Sequence, residues 1–433
     1  MPTGATINPS TTANDSATSE GPTTNSSVTN STTNSSNTTN TTNSTTTTDP
    51  GTTSGATETD PTIDPSESAT DTSGTTTGVP PELDTQCLVV HKSGDPATLQ
   101  TVRVDPDGAL TDTGYTLELS GGHSPASTDY RREGLVSCGD RFVYAAMLDD
   151  DKVAAIDVGY YGELSVINEV NVPNVEGLLC DREDELVFAF GRNAGKAHLR
   201  SFGINADGTL DPVANVDLNY TYTGAMQLYS VLHPKLRVLY LAGKTEGGDV
   251  DVEIHKVNYS DSGALVPDNL TSVSGTLLFG VDVSPSGDEL AIVSWNGQFA
   301  WHNLPATGQV PASGNLNIIN ATEWQNGVDI EIRTDPSSDE HFYYAKTTGT
   351  LGEIRVGEFL GDQLMYYATE TGAGKRMHLH LAWDDTVLVA VAQTGAMKSW
   401  SIDSEGTGLT LVGDMSVGGT AVQASDLVSC AAE

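Results

Sequence analysis

The sequence predicts an all-β fold, a seven-bladed propeller of four-stranded antiparallel blades, with the ring closed by pairing of the N- and C-terminal strands. Three observations carry this. A strand–turn–strand unit recurs at intervals of 43, 50, 53, 47, 50 and 48 residues. A second turn, rich in Asp, Asn, Ser and Gly, recurs between those units. The last unit has a single strand, and the strands it lacks stand at the start of the domain. Repeats of about 40–50 residues with several strands apiece mark propeller blades, and closing the ring protects sheet edges.

Residues 1–83 are almost entirely Thr, Ser, Asn, Gly, Pro, Asp and Glu, with no Lys, Arg, Cys or aromatic residue. Such a stretch has too little apolar surface to offset its ordering entropy and is expected to be a disordered tether. Its Asn-x-Ser/Thr triplets, from Asn14 to Asn43, follow from that composition. The tether is similar to the stalk of bacterial surface lipoproteins, which implies an extracytoplasmic protein, secreted or held at the cell surface. The sequence has neither the signal peptide nor the lipid-bearing Cys of that class, so a truncated chain or a start placed too late is expected. No apolar run is long enough to span a membrane as a helix.

Residues 84–433 make the propeller. Its first strands are TQCLVVHKS from 85, TLQTVRVDPDG from 98 and YTLELSGG from 115. Six units then open on an inner strand: GLVSCGDRFVYAA from 134, GLLCDREDELVFAF from 177, QLYSVLHPKLRVLYLAG from 227, GVDVSPSGDELAIVS from 280, GVDIEIRTDPSSDEHFYYA from 327 and MHLHLAWDDTVLVAVA from 377. The seventh inner strand is SDLVSC from 425. Turns between third and fourth strands read VDPDGAL at 104, INADGTL at 204, YSDSGAL at 259 and IDSEGTGL at 402. Asp, Asn and Ser supply turn hydrogen bonds there, and Gly a positive φ.

By alignment with the Cys138–Phe142 hairpin, Cys430 takes the place of Cys138 and Cys87 that of Phe142. A Cys87–Cys430 disulfide is therefore expected to lock the ring, which implies an oxidising compartment. Cys138 and Cys180 lie on first strands of adjacent blades. They are expected as two small buried thiols, with a bridge the alternative.

The turn chemistry, with VSPSGDEL at 283 and the HPKLRVLYLAG run at 233, resembles that of the propeller lactonase family, 6-phosphogluconolactonase type. The resemblance covers all seven units. It implies this fold and, as one functional reading, hydrolysis of an anionic sugar lactone. His233, in a Leu-His-Pro turn where the family often has His-Pro, is expected to be structural.

Acidic residues outnumber basic ones 58 to 20, for a formal net charge of −38. That balance excludes nucleic acid and anionic membrane surfaces as partners. Basic residues nevertheless concentrate in the loops of one face. Lys196, Lys244, Lys346 and Lys398 lie between second and third strands, and Arg131 and Arg132 between blades. A basic mouth on an acidic protein draws a small anion such as a sugar acid. The ligand-binding set is those six residues, and the expected partner is a small anionic ligand, a glycan or a protein on that top face, with the chain a monomer.

Alternation on the inner strands puts Asp329, Glu331 and Arg333 on one side of their strand, His378 and His380 on one side of theirs, and adds Asp282. The run GKRMHLHLAWDD from 374 resembles a lactonase-family run in which Pro-Arg-His precedes the inner strand. Matching Ala382 and Asp384 places His380 at the family's His, with Leu379 then standing at the Arg position. The catalytic candidates are His380 as general base, Arg376 to hold an oxyanion or the substrate's anionic group, and Glu331 as their partner. There is no HExxH, P-loop, dinucleotide fingerprint or GxSxG elbow. No cofactor is expected, and His378 with His380 lack a third metal ligand. The reading is a ligand- or protein-binding propeller, with lactone hydrolysis the alternative.

Overall fold

The computed structural model describes residues 5–7, 85–122, 134–193, 196–221, 229–244, 251–274, 278–294, 299–311, 317–319, 327–334, 340–360, 363–419 and 421–431. Almost all of the expected tether lies outside them. Within the tether, β1 (Ala5–Ile7) is described as a short strand paired antiparallel with the outer strand of the fifth blade.

The closing blade holds β2 (Thr85–Lys92), β3 (Thr98–Val104) and β4 (Leu110–Glu118). Blade 1 runs β5 (Leu135–Cys138), β6 (Phe142–Met147), β7 (Lys152–Val158) and β8 (Leu164–Asn171). Blade 2 runs β9 (Val175–Asp181), β10 (Leu186–Asn193), β11 (Lys196–Ile204) and β12 (Leu210–Thr221). Blade 3 runs β13 (Tyr229–Leu232), β14 (Val238–Lys244), β15 (Asp251–Tyr259) and β16 (Leu265–Ser274). Blade 4 runs β17 (Leu278–Val283), β18 (Glu289–Ser294), β19 (Phe299–Asn303) and β20 (Asn317–Ile319). Blade 5 runs β21 (Gly327–Thr334), β22 (Glu340–Lys346), β23 (Glu353–Leu360) and β24 (Gln363–Thr371). Blade 6 runs β25 (Met377–Ala382), β26 (Val387–Ala392), β27 (Ala396–Ile402) and β28 (Leu409–Ser416). The last strand, β29 (Val422–Cys430), pairs with β2 and completes blade 7 in the order β29-β2-β3-β4.

Period-2 alternation gives each blade two apolar faces, and these meet in seven buried clusters, one at each joint between neighbouring blades. The first strands touch in ring order, β5 to β9 to β13 to β17 to β21 to β25 to β29 and back to β5. They therefore line the central channel with their unpaired edges.

A repeated hydroxyl clasp reinforces the joints. Tyr144 donates to the Gly208 carbonyl at 3.1 Å, Ser201 to Gly263 at 2.6 Å, Tyr240 to Gly308 at 2.6 Å, Tyr343 to Gly406 at 3.2 Å and Thr101 to Gly162 at 2.9 Å. Ser399 does the same to Gly108. In each case the acceptor is a glycine in the next blade's third-to-fourth strand turn, where φ runs from 64° to 94°. A side chain at Gly208 would also strike the Phe142 ring, 2.5 Å from the added carbon. The glycines thus serve both the turn and the joint. His233 holds its own turn, its Nδ1 accepting from the Lys235 and Leu236 amides at 3.1 and 3.2 Å.

The Cys87–Cys430 disulfide is present, with a Cα–Cα distance of 5.8 Å. Its register differs from the expected one. Cys430 lies opposite Thr85 and Cys87 opposite Val428, so the bridge runs diagonally between β29 and β2. Cys138 and Cys180 are not thiols but a second disulfide, Cα–Cα 5.6 Å, which joins the inner strands of blades 1 and 2. Both inner strands face one joint there, and that brings two side chains on different blades within bonding reach.

Candidate functional site

Strand register defines a ring of seven side chains at one depth in the channel. Each is the inner-strand residue opposite the same position of its blade's second strand. They are Val136, Leu179, Val231, Asp282, Glu331, His380 and Asp426, opposite Tyr144, Phe188, Tyr240, Ala291, Tyr343, Val389 and Val89. Blades 1 to 3 are apolar at this depth and blades 4 to 7 are polar. Six of the seven are half-buried, and His380 is buried.

Asp282 and Asp426 perform the same task. In each, one carboxylate oxygen accepts from the following residue's amide, Val283 at 2.9 Å or Leu427 at 2.8 Å. The other oxygen accepts from the next blade's inner strand, Ile332 at 3.1 Å or Ser137 at 2.7 Å. These amides lie on an inner strand with no neighbour on that side, where an unmet donor is costly. Asp329, one step nearer the top and buried, does likewise for Leu379 at 2.8 Å. Of the acidic residues grouped by alternation, Asp282 and Asp329 thus hold blades together.

At Glu331 and His380 the ring carries a longer carboxylate and an imidazole on adjacent blades. His380 Nε2 lies 2.8 Å from Ser425 Oγ, a buried contact across the joint between blades 6 and 7. Arg333 is one step below Glu331 and buried, and His378 one step above His380. Ser425 and Asp426 went unnoticed in the sequence. Their signal was the alignment of SDLVSC with the other inner strands, which had singled out the polar positions of blades 4 to 6.

Solved structures share this fold. A Lactobacillus plantarum protein is 16% identical with a TM-score of 0.59, over 80% of this chain and 100% of that one. A putative 6-phosphogluconolactonase from Bacteroides uniformis is 14% identical with a TM-score of 0.61, over 80% and 100%. The Pseudomonas aeruginosa periplasmic gluconolactonase PpgL is 12% identical with a TM-score of 0.59, over 80% and 99%. This chain has the lactonase-like propeller fold. No protein-family model matches its sequence, and no curated protein matches it either.

Within the lactonase-like fold the remaining candidates are dispersed. Arg376 immediately precedes β25, four residues from His380, with a left-handed φ of 52° and its carbonyl bonded to the Gln393 amide. At about 3.3 Å per strand residue the two lie about 13 Å apart along the channel. His380 and Glu331 share a level, and Arg376 stands at the mouth. Lys196 is exposed, and Lys398 Nζ lies 3.4 Å from the Thr371 carbonyl. Lys346 is buried, with its ammonium 4.0 Å from Glu353. Arg131, Arg132 and the side chain of Lys244 fall outside the described residues. Two further top-loop lysines are engaged locally. Lys152 pairs with Glu169 at 2.9 Å, and Lys92 bonds the Val417 carbonyl at 3.1 Å, its pKa pulled down by burial.

Proposed function

We propose that this propeller binds a small, hydroxyl-bearing anionic ligand of the sugar-acid class in the polar half of its channel, entered from the top face. The observation that carries the reading is the half-ring of blades 4 to 7. Asp282 and Asp426 brace the backbone, while Glu331, His380 and Ser425 bring a carboxylate, an imidazole and a hydroxyl to one region. Such groups suit a polyol, and Arg376 and the exposed Lys196, on the top side, suit its anionic end. Two disulfides support an extracytoplasmic setting. Among the described residues no helix is long and apolar enough to cross a membrane.

Lactone hydrolysis is a second reading, favoured by the 2.8 Å contact between His380 and Ser425 and by folds shared with lactonases. In it His380 takes a proton from the attacking water or from Ser425, and Arg376 holds the substrate's anionic group. Calorimetric titration with gluconate and 6-phosphogluconate, run beside a hydrolysis assay on the corresponding lactones, separates the two. The binding reading expects saturable heat that weakens at least tenfold in Glu331→Gln, with lactone loss no faster than in buffer. Turnover that disappears in His380→Ala replaces binding with hydrolysis, and no heat with either acid sinks the ligand class.

A further inference from the structure

A second cleft lies on the side of the ring, between the outer strands of blades 1 and 2. It is an open groove of about 500 Å³, lined by Val170 and Asn171 of β8 and by Arg200, Phe202 and Asn215 of β11 and β12, among others. Its volume falls within the range of small-molecule sites. Register puts His198 opposite Asp217 and Arg200 opposite Asn215, so all four project from one face of blade 2. Phe202, on the same face, packs in the cluster shared with blade 1.

Arg200 is held in a fixed pose. Its Nε–H donates to His198 Nε2 at 2.8 Å, and an NH1 hydrogen donates to the Asn171 carbonyl at 3.2 Å. Because a guanidinium only donates, His198 Nε2 must be the accepting nitrogen. His198 therefore carries its proton on Nδ1 and gives it to Asp217 Oδ1, 2.7 Å away. The chain from Asp217 through buried His198 to Arg200 fixes the guanidinium and leaves NH2 and the second NH1 hydrogen unspent. Arg103, Arg141, Arg237 and Arg355 each pair with a carboxylate. Among the described residues none pairs with Arg200.

We propose that this cleft binds a small organic acid, its carboxylate on the Arg200 NH1–NH2 edge and its apolar body against Val170 and Phe202. A fixed Arg fork suits a carboxylate, and the apolar lining favours an acid with a hydrocarbon body over a bare inorganic anion. His198 and Asp217 are positioning residues.

Titration of the full chain with sodium benzoate, with inorganic phosphate as comparator, tests this by calorimetry. Benzoate should bind saturably and more tightly than phosphate. Its affinity should fall at least tenfold in Arg200→Gln and clearly in Arg200→Lys, and be unchanged in Glu331→Gln, which keeps the cleft separate from the channel. Should Arg200→Gln not fold, Asn215→Asp, at an exposed position opposite Arg200, places a competing carboxylate in the cleft and should weaken benzoate likewise. Absence of saturable binding, equal affinity for phosphate, or affinity unmoved by Asn215→Asp overturns the proposal.

Discussion

At one depth in the channel, blades 1 to 3 carry Val136, Leu179 and Val231, and blades 4 to 7 carry Asp282, Glu331, His380 and Asp426. The apolar arc is cross-linked by the Cys138–Cys180 disulfide, whereas the polar arc is tied by carboxylates that reach backbone amides of the next blade. The difference teaches that a titratable residue on an inner strand is not by itself a sign of chemistry. Where two neighbours are committed to bracing, the functional suspicion narrows to the positions between them.

Acid should break this arrangement most strongly, at the two joints that flank blade 3. His255 on β15 and His302 on β19 are buried, and burial lowers each pKa from 6.5 to about 4. The unfolded chain takes up these protons first, so the stability that neutral imidazoles confer is full above pH 6.5 and is lost as pH falls toward 4. At 1.36 kcal/mol per unit that amounts to about 3 kcal/mol for each histidine. Urea midpoints measured across that window should fall steeply, and a double His255→Gln, His302→Gln variant should flatten the fall.

Reduction should act within blade 7, on the face turned toward blade 1. The Cys87–Cys430 bond spans 343 residues. Freeing a loop of that size costs about 6 kcal/mol by chain entropy. A Cys430→Ser variant should show that loss as a lower denaturant midpoint, and an unchanged midpoint would mean that β29–β2 pairing alone closes the ring.

The smallest expected effect is the most discriminating. Asp282→Ala and Asp426→Ala each strand two amides and should cost about 2–3 kcal/mol. Glu331→Ala, at the same depth, should cost under about 1 kcal/mol by thermal denaturation, as expected of a group facing a ligand. Equal losses at all three sites would make Glu331 another brace and erase the distinction within the polar arc.

Much of the architecture was readable because turns and alternation are local. The spacing of GVDVS, GVDIEIR and MHLHL located the blades, and period-2 alternation grouped Asp282, Asp329, Glu331 and His380 on the faces where they lie. What could not be read depends on a neighbour distant in sequence. Whether Asp329 braces or binds depends on the Leu379 amide, 50 residues away. Tyr144, Tyr240 and Tyr343 look like core aromatics until the glycine carbonyls of the next blade come within reach of their hydroxyls. The pairing of Cys138 with Cys180 and of His380 with Ser425 has the same origin.

The closing blade also sets a timetable. Its inner strand, β29, is the last described strand of the propeller, and its other three are the propeller's first strands, so β2 waits for its partner until about 330 further residues have been synthesised. At roughly 5–20 residues per second that interval is tens of seconds. Throughout it the β2 edge, with Leu88, Val89 and Val90 beside it, has no strand to cover it. A nascent ring is therefore open and adhesive at one place, and the propeller becomes safe from edge-to-edge association only when β29 emerges.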